Sequence, residues 1–166
     1  MNSAKVTALD EAMIQKALDV AQAAIEKGEA GVGAVLCWRG EVLATGHNMF
    51  EETKDMTLHA EMATLRQASK KIAEMSDEEK QDLAIYVSLE PCLMCFAAIS
   101  FVGIRKVVFS AYIEDANQEA LIARGLTCSE LNPLLTKGPL ELVEGVKNEA
   151  GKRLLAEMGK RRKLNQ

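Results

Sequence analysis

Two short stretches, far apart in the chain, combine into the pattern of a catalytic metal site. The first reads T-L-H-A-E and ends at Glu61, and the second reads E-P-C-L-M-C and ends at Cys95. His59, Cys92 and Cys95 offer one imidazole and two thiolates, the three protein ligands of a zinc site whose fourth position is kept for water. Glu61 is left over, and a carboxylate beside such a water is placed to take its proton. The pattern predicts one zinc ion per chain, with Glu61 as the catalytic residue.

The spacing within each stretch is compatible with a helix N-terminus. Cys92 and Cys95 are three residues apart, which puts their sulfur atoms on one face of a helix. Pro91 suits the first turn of that helix, because its φ is already helical and its missing N–H is not needed there. The partial positive charge of a helix N-terminus also favours the ionised thiolates that zinc requires. His59 and Glu61 stand where a second helical pattern begins, so both can face an ion beyond the helix end.

Other interpretations of these residues exist. A C-x-x-C pair alone fits a redox motif or half of a structural zinc site, and a single His is more often a core residue than a ligand. A closed structural site needs a fourth ligand, and the candidates Cys37, Cys128 and His47 are not in a paired ligand spacing. H-x-E followed by P-C-x-x-C is the signature of the zinc deaminases, and both halves occur here in that order. The catalytic interpretation is therefore preferred.

These motifs, H-A-E at 59–61 and P-C-L-M-C at 91–95, resemble those of the cytidine and deoxycytidylate deaminase superfamily. The similarity extends over roughly residues 17–146 and weakens towards the C-terminus. Residues 59–66 and 87–95 are similar to the tRNA adenosine deaminases, and bacterial guanine deaminases share much of the same sequence. Residues 46–49 and 57–59 look like the fungal-type cytosine deaminases. The motifs alone prefer none of these three branches.

The resemblance implies a fold, further site residues and an assembly. The fold is a three-layer α/β/α arrangement of the cytidine deaminase type, with a mixed five-stranded central sheet. Asn48 is expected to hydrogen-bond the substrate base or its sugar, although Asn after Gly is also an ordinary turn residue. The backbone N–H of Ala60 is expected to hold the polar edge of the substrate. Guanine deaminases carry a base-pairing acid near Glu114 and Asp115, but a surface loop is the preferred interpretation there. A homodimer is expected.

The hydrophobic periodicity along the chain predicts alternating helices and strands. Two of the strands flank the helix of the second motif, and a strand, helix, strand order requires parallel strands joined by a crossover. The two helices that carry the zinc ligands are therefore expected on one face of the sheet. The principal predicted elements are helices at 9–27, from 59, 92–101 and 148–158, and strands at 29–38, 41–45, 83–89, 104–111 and 140–143.

The composition bounds the class of protein. The chain has 166 residues, of which 48% are hydrophobic and 27% are charged, as expected for a single globular domain over residues 1–166. The sequence has no apolar run long enough to cross a membrane and no pattern of a signal peptide. Four cysteines, two of them assigned to the metal, suit a reducing compartment. A cytoplasmic protein is expected.

The net charge bears on the substrate. Proteins that bind long nucleic acids are usually basic, because phosphate contacts supply much of their affinity, but this chain carries a formal charge of −4. The preferred prediction is a hydrolase of cyclic amidines that removes an amine as ammonia from a free nucleobase, a nucleoside or a related aminoheterocycle, of guanine or cytosine type. A tRNA-specific adenosine-to-inosine deaminase is the first alternative, with residues 160–163 as a weak basic mark and tRNA as the less favoured partner. A non-catalytic, zinc-stabilised interaction subunit is the second, although it would have no use for Glu61.

Overall fold

Five strands form one mixed sheet in the computed structural model, which describes residues 5–164 without the side chains of residues 120 and 162–164. The strands are β1 (Gly33–Trp38), β2 (Glu41–His47), β3 (Leu83–Leu89), β4 (Lys106–Ala111) and β5 (Glu141–Val143). Their order across the sheet is β2-β1-β3-β4-β5. β1 is antiparallel to β2 and to β3, whereas β3, β4 and β5 run parallel. The mixed five-stranded sheet predicted from the sequence is confirmed.

The helices cover both faces of this sheet. Within residues 5–164 the α-helices are α1 (Ala8–Glu26), α2 (Phe50–Thr53), α3 (Ala60–Glu74), α4 (Asp77–Lys80), α5 (Leu93–Val102), α6 (Cys128–Leu131) and α7 (Asn148–Leu164). Short 3-10 helices lie at Ile113–Asp115, Gln118–Ala120 and Asn132–Leu134. Most predicted boundaries agree within two or three residues. The clearest differences are a single helical turn in the predicted loop after residue 49, and a last helix six residues longer than predicted.

Alternate residues of the central strand β3 divide between two cores, as the two-residue period of a strand requires. Ile85 and Val87 face the core that is shared with α3 and α5. Ala84 and Tyr86 face the other core, which is shared with α1 and α7. The three-layer α/β/α fold is therefore confirmed. The two helices that carry the zinc ligands pack on the same face, as predicted.

Two glycines allow the helices to lie close against the first hairpin. A Cβ atom on Gly33 would lie 2.3 Å from the Ala17 carbonyl oxygen, where α1 meets β1. A Cβ atom on Gly46 would lie 2.8 Å from the Ala60 carbonyl oxygen, where the start of α3 meets β2. Gly33 thus allows the close packing of the two backbones. Gly46 sets the distance between the hairpin and the helix that begins at the first motif.

None of the helices within residues 5–164 is at once long enough and apolar enough to cross a membrane.

Candidate active site

The three predicted metal ligands lie together at the starts of two helices. His59 is the N-cap residue of α3, Cys92 is the N-cap residue of α5, and Cys95 lies in the first turn of α5. His59 Nδ1 is 3.6 Å from Cys92 Sγ and 3.6 Å from Cys95 Sγ. The three donor atoms all lie within 4.8 Å of one another. Cys92 thus precedes the helix that it was predicted to begin, and Pro91 precedes that cap.

This geometry fits zinc. Tetrahedral Zn–N and Zn–S bonds of about 2.05 and 2.3 Å separate the nitrogen and sulfur atoms by about 3.6 Å. The distances from His59 to the two cysteines have this value without any rearrangement. Two thiolates and one imidazole are also donors that zinc prefers. The residues can therefore hold one zinc ion and leave a fourth position open.

The two thiols differ in acidity. Hydrogen bonding from Cys95 and from His59 lowers the pKa of the Cys92 thiol to about 4, although burial opposes this. The hydrogen bond with Cys92, together with burial, raises the pKa of the Cys95 thiol above its ordinary value. Cys92 is therefore a thiolate at neutral pH, whereas Cys95 retains its proton. Zinc binding has to release the Cys95 proton, and also the proton of a charged His59, because the hydrogen bond with Cys92 raises the pKa of this imidazole.

Glu61 is the second residue of α3, and its side chain is almost fully buried, with 3% exposed. Burial raises the pKa of the Glu61 carboxyl to about 7. A carboxyl group with such a pKa can both accept and donate a proton near neutral pH, which suits a general acid and base. We call His59, Glu61, Cys92 and Cys95 the floor of the site.

A pocket opens above the floor. Its lining is mostly apolar, with a few polar groups. Asn48 is one of them, and its Oδ1 atom is buried without a hydrogen-bond donor among the described residues. A buried amide oxygen that lacks a partner is costly, and a substrate can satisfy it. The lining residues are Ala30, Val32, Asn48, His59, Glu61, Leu89, Glu90, Cys92, Ile113, Ala116, Asn117, Leu121, Ile122 and Met158.

Ala60 lies next to the pocket as the first residue of α3. The N–H groups in the first turn of a helix have no carbonyl group within that helix to bind. The Ala60 N–H is therefore free of the helix ladder, at the same helix end that places His59 and Glu61. This position is compatible with the predicted contact to the substrate.

Two buried carboxylates, those of Glu29 and Glu90, each hold a loop beside the pocket through hydrogen bonds to backbone N–H groups. Glu29 accepts hydrogen bonds from the backbone N–H groups of Glu51 (3.0 Å) and Glu52 (2.8 Å), just after Asn48. Glu90 accepts hydrogen bonds from the backbone N–H groups of Ile113 (3.0 Å) and Cys128 (2.6 Å). Burial raises the pKa of the Glu90 carboxyl. Sequence reasoning missed both residues, because nothing in their local sequence marks a hydrogen-bond partner so far along the chain.

The side of the pocket after β4 differs from what the sequence suggested. We call residues 113–128 the wall segment, because Ile113, Asn117 and Leu121 of this segment line the pocket. Glu114 and Asp115 are not among the lining residues, and Asp115 instead accepts a hydrogen bond from the Tyr112 N–H. The loop interpretation of these two acids agrees with the structure.

Met158 also lines the pocket from α7, and its sulfur accepts a hydrogen bond of 3.3 Å from the Gly31 N–H. The predicted helix at 148–158 includes Met158, but its helical periodicity did not indicate that this residue lines the pocket. In the basic run at 160–163, Arg161 donates a hydrogen bond to the Ile25 carbonyl oxygen and pairs with Glu157. The side chains of residues 162 and 163 lie outside the described part of the chain.

The sequence model of the cytidine and deoxycytidylate deaminase zinc-binding region matches residues 7–111, which include the whole floor. The chain belongs to this family. Zinc is accordingly its cofactor, and His59, Cys92 and Cys95 are placed as the zinc site of this deaminase domain.

Known deaminases resemble the chain in sequence and in structure. The tRNA-specific adenosine deaminase of Aquifex aeolicus (strain VF5) is 41% identical over 101 residues, which are 61% of this chain and 65% of that protein. The chain thus spans less than two thirds of the length of that relative. A structure from studies of A-to-I editing by tRNA:A34 deaminases has a TM-score of 0.70 at 30% identity, covering 87% of this chain and 99% of that one. The guanine deaminase from Nitrosomonas europaea has a TM-score of 0.78 at 24% identity, covering 96% of this chain and 89% of that one. At this low identity the similarity shows only that the two proteins share a fold.

These comparisons correct the substrate prediction. The substrate predicted from the sequence was a small molecule, a free nucleobase or nucleoside of guanine or cytosine type. Relatives of 39–41% identity are named tRNA-specific adenosine deaminases, so that prediction is wrong. Net charge misled it, because a formal charge of −4 describes the whole surface, whereas a deaminase reads one base that has left its stack.

Proposed function

We propose that this chain is a tRNA-specific adenosine deaminase that converts the adenosine at the wobble position of a tRNA anticodon to inosine. The observation that carries the proposal is the 41% identity to the tRNA-specific adenosine deaminase of Aquifex aeolicus. The likeness to the tRNA:A34 deaminase structure, with 99% of that chain covered, supports it further. The reaction is a hydrolysis, in which water replaces the exocyclic amine and ammonia leaves.

The floor supplies the chemistry in this proposal. His59, Cys92 and Cys95 would hold zinc, which when bound would lower the pKa of a water molecule so that it can attack near neutral pH. The Glu61 carboxylate takes the proton that the water gives up as its oxygen bonds to the carbon bearing the amine. Glu61 passes that proton to the neighbouring ring nitrogen, then takes a second proton from the hydroxyl group now on the carbon and gives it to the amine. The C–N bond breaks, ammonia leaves, and the C=O bond forms. Burial raises the pKa of the Glu61 carboxyl, which makes this group a better proton acceptor.

Asn48 and Ala60 hold the base. The Asn48 amide offers a donor and an acceptor, and its buried Oδ1 needs a donor that the described protein does not provide. The Ala60 N–H is a second donor at the edge of the pocket. The apolar lining, with Val32, Leu89 and Ile113, suits the faces of a base that has been flipped out of an RNA loop.

Recognition of a single loop nucleotide does not require a basic protein. The affinity of a protein that covers many phosphates depends on many cations, whereas RNA loops are recognised largely through unstacked bases. A pocket for one flipped base is therefore compatible with a formal charge of −4. The proposal does not depend on tRNA binding by the basic run at 160–163, in which Arg161 donates a hydrogen bond to the Ile25 carbonyl oxygen of α1.

The proposal is tested with the zinc-loaded protein and an RNA anticodon stem-loop that has adenosine at the wobble position. Digestion to nucleosides and mass spectrometry should show inosine in place of that adenosine. A matched stem-loop with cytidine at the same position should remain unchanged. If the zinc-loaded protein forms no inosine in the first stem-loop, or deaminates both equally, the proposed substrate is wrong.

We further propose that the chain forms a homodimer through α5. Of the residues in this helix only Ser100 is polar, although one side of the helix faces outward. Leu93 is 38% and Phe101 is 77% exposed, and Ala97 lies between them at helical spacing on the same side. A helix that is apolar all round is normally covered on all sides, and a second copy of α5 would cover this stripe.

Light scattering of the purified protein should give the molar mass of two chains, and Phe101→Asp should reduce it to the mass of one. Met56, which is equally exposed at 77% but lies outside α5, provides the control variant Met56→Asp. A monomeric wild-type protein would refute the dimer, as would a dimer that Phe101→Asp leaves intact.

A further inference from the structure

The wall segment, residues 113–128, is attached at both ends to one side chain. The Ile113 N–H donates to Glu90 Oε2 at 3.0 Å, and the Cys128 N–H donates to Glu90 Oε1 at 2.6 Å. Five of the pocket-lining residues belong to this segment, Ile113 at its first attachment point and four others between the two attachment points. Its regular structure is limited to short turns, so its shape depends on such attachments.

Glu90 also connects the wall segment to the zinc ligands. It lies two residues before Cys92, and its own N–H donates to the Ala111 carbonyl oxygen at 2.8 Å. The Cys128 thiol reaches the Pro91 carbonyl oxygen at 3.4 Å. The end of β3, the end of β4 and the start of α6 therefore meet around one carboxylate that is only 4% exposed.

We propose that Glu90 is a positioning residue, whose carboxylate closes the wall segment and fixes it relative to the zinc ligands. Both carboxylate oxygens are used, one for each end of the segment. A glutamine cannot do the same, because its NH₂ group would face one of the two N–H donors. The base would then meet a wall that is displaced or loosely held, while the floor remains intact. The kinetic part of this inference rests on the proposed function.

The test compares Glu90→Gln with Asp10→Asn, another buried carboxylate that accepts a backbone N–H but lies at the start of α1. Glu90→Gln should keep one zinc per chain and raise KM for the anticodon stem-loop by about tenfold or more, with kcat within about threefold. Hydrogen exchange by NMR should be faster at the Ile113 and Cys128 amides. Asp10→Asn should lower the melting temperature and change neither KM nor these two amides.

Three results would overturn the inference: an unchanged KM, unchanged exchange at both amides, or loss of zinc from Glu90→Gln. If that variant does not fold, Glu90→Asp replaces it, because a shorter carboxylate keeps two acceptors but cannot reach both donors equally. The same change in KM and exchange is then required. If the wild-type protein does not act on the stem-loop, the proposed function fails, while the exchange measurement still decides the role of Glu90.

Discussion

On the floor of the pocket, His59, Glu61 and Cys95 all lie at the start of a helix of ten residues or more, whereas the wall segment between Ile113 and Cys128 consists of turns. The helix ends fix the floor through backbone geometry that depends on neighbouring residues. The wall segment depends on a carboxylate more than twenty residues away in the chain. Each half of the floor is thus built from residues that are neighbours in the chain, whereas the wall segment is held by hydrogen bonds to a distant residue.

The largest effect should follow from removing a zinc ligand. Cys95→Ser should lose zinc and all measurable activity. Removing a residue that only hydrogen-bonds to a metal ligand lowers metal affinity or activity by about 10–100-fold, and removing a ligand itself should cost more. Zinc is measured by elemental analysis and activity by inosine formation. Cys37→Ala is the control, since Cys37 is equally buried but faces the core on the other side of the sheet. A Cys95→Ser protein with full zinc content would contradict the assigned floor.

Glu61→Gln should separate zinc binding from chemistry within the floor. It keeps the shape of the side chain but cannot accept a proton, so kcat should fall by about 10²–10⁴-fold while zinc content stays at one per chain. Single-turnover kinetics measure the loss. Glu74→Gln, at the other end of α3, should behave like the wild type. Activity of Glu61→Gln within about tenfold of the wild type would remove Glu61 from the mechanism.

Asn48→Ala should affect the substrate but not the fold. Because Asn48 Oδ1 is buried without a donor among the described residues, its removal should leave the melting temperature unchanged or higher. The value of kcat/KM should fall by about 10–100-fold, since the base loses its partner.

Asn132→Ala is the matched control, because the Asn132 amide is satisfied on both sides by the backbone of Leu140. This variant should lose stability and keep kcat/KM. The opposite pattern in the two variants would show that Asn48 is a structural residue and would place the substrate contact elsewhere.

Asp10→Asn should have the smallest effect on activity and a clear effect on stability. Burial by itself would raise the pKa of the Asp10 carboxyl. Hydrogen bonds from Thr7 and the nearby Lys106 ammonium group outweigh this effect, so the pKa lies below its ordinary value of 3.8. A lowered pKa in the folded state stabilises the protein above pH 3.8, and this stabilisation is lost as the pH falls through the folded-state pKa.

Urea unfolding should therefore show Asp10→Asn to be less stable than the wild type by about 1–3 kcal/mol at pH 7, with a smaller difference at pH 3. A difference that is the same at both pH values would mean that the charge of Asp10 does not stabilise the fold.

The two regions also differ in how far the sequence predicts them. The floor follows from H-A-E and P-C-L-M-C, because each motif carries its ligands and its helix start within a few residues. The five strands follow from their periodicity. Glu90 stands inside the second motif, but its two partners are 23 and 38 residues further along. Only the fold brings them together, and the same holds for Met158 at the far end of the chain.

The substrate was the least predictable property. Nothing in the residues of the floor distinguishes adenosine in tRNA from a free base, since both reactions replace an exocyclic amine with water. We expect the distinction to depend on the wall segment and on surfaces around the pocket, where the sequence has no local pattern. Net charge was used in their place, and it averages over surfaces that do not touch the substrate.

The most direct test is to treat the anticodon stem-loop with the zinc-loaded protein in water enriched in heavy oxygen. The wobble adenosine should become inosine, and each inosine should carry one heavy oxygen atom from the water, with ammonia released in equal amount. Glu61→Gln should abolish this label. Inosine without the heavy oxygen, or no inosine at all, would contradict a hydrolytic tRNA adenosine deaminase built on this floor.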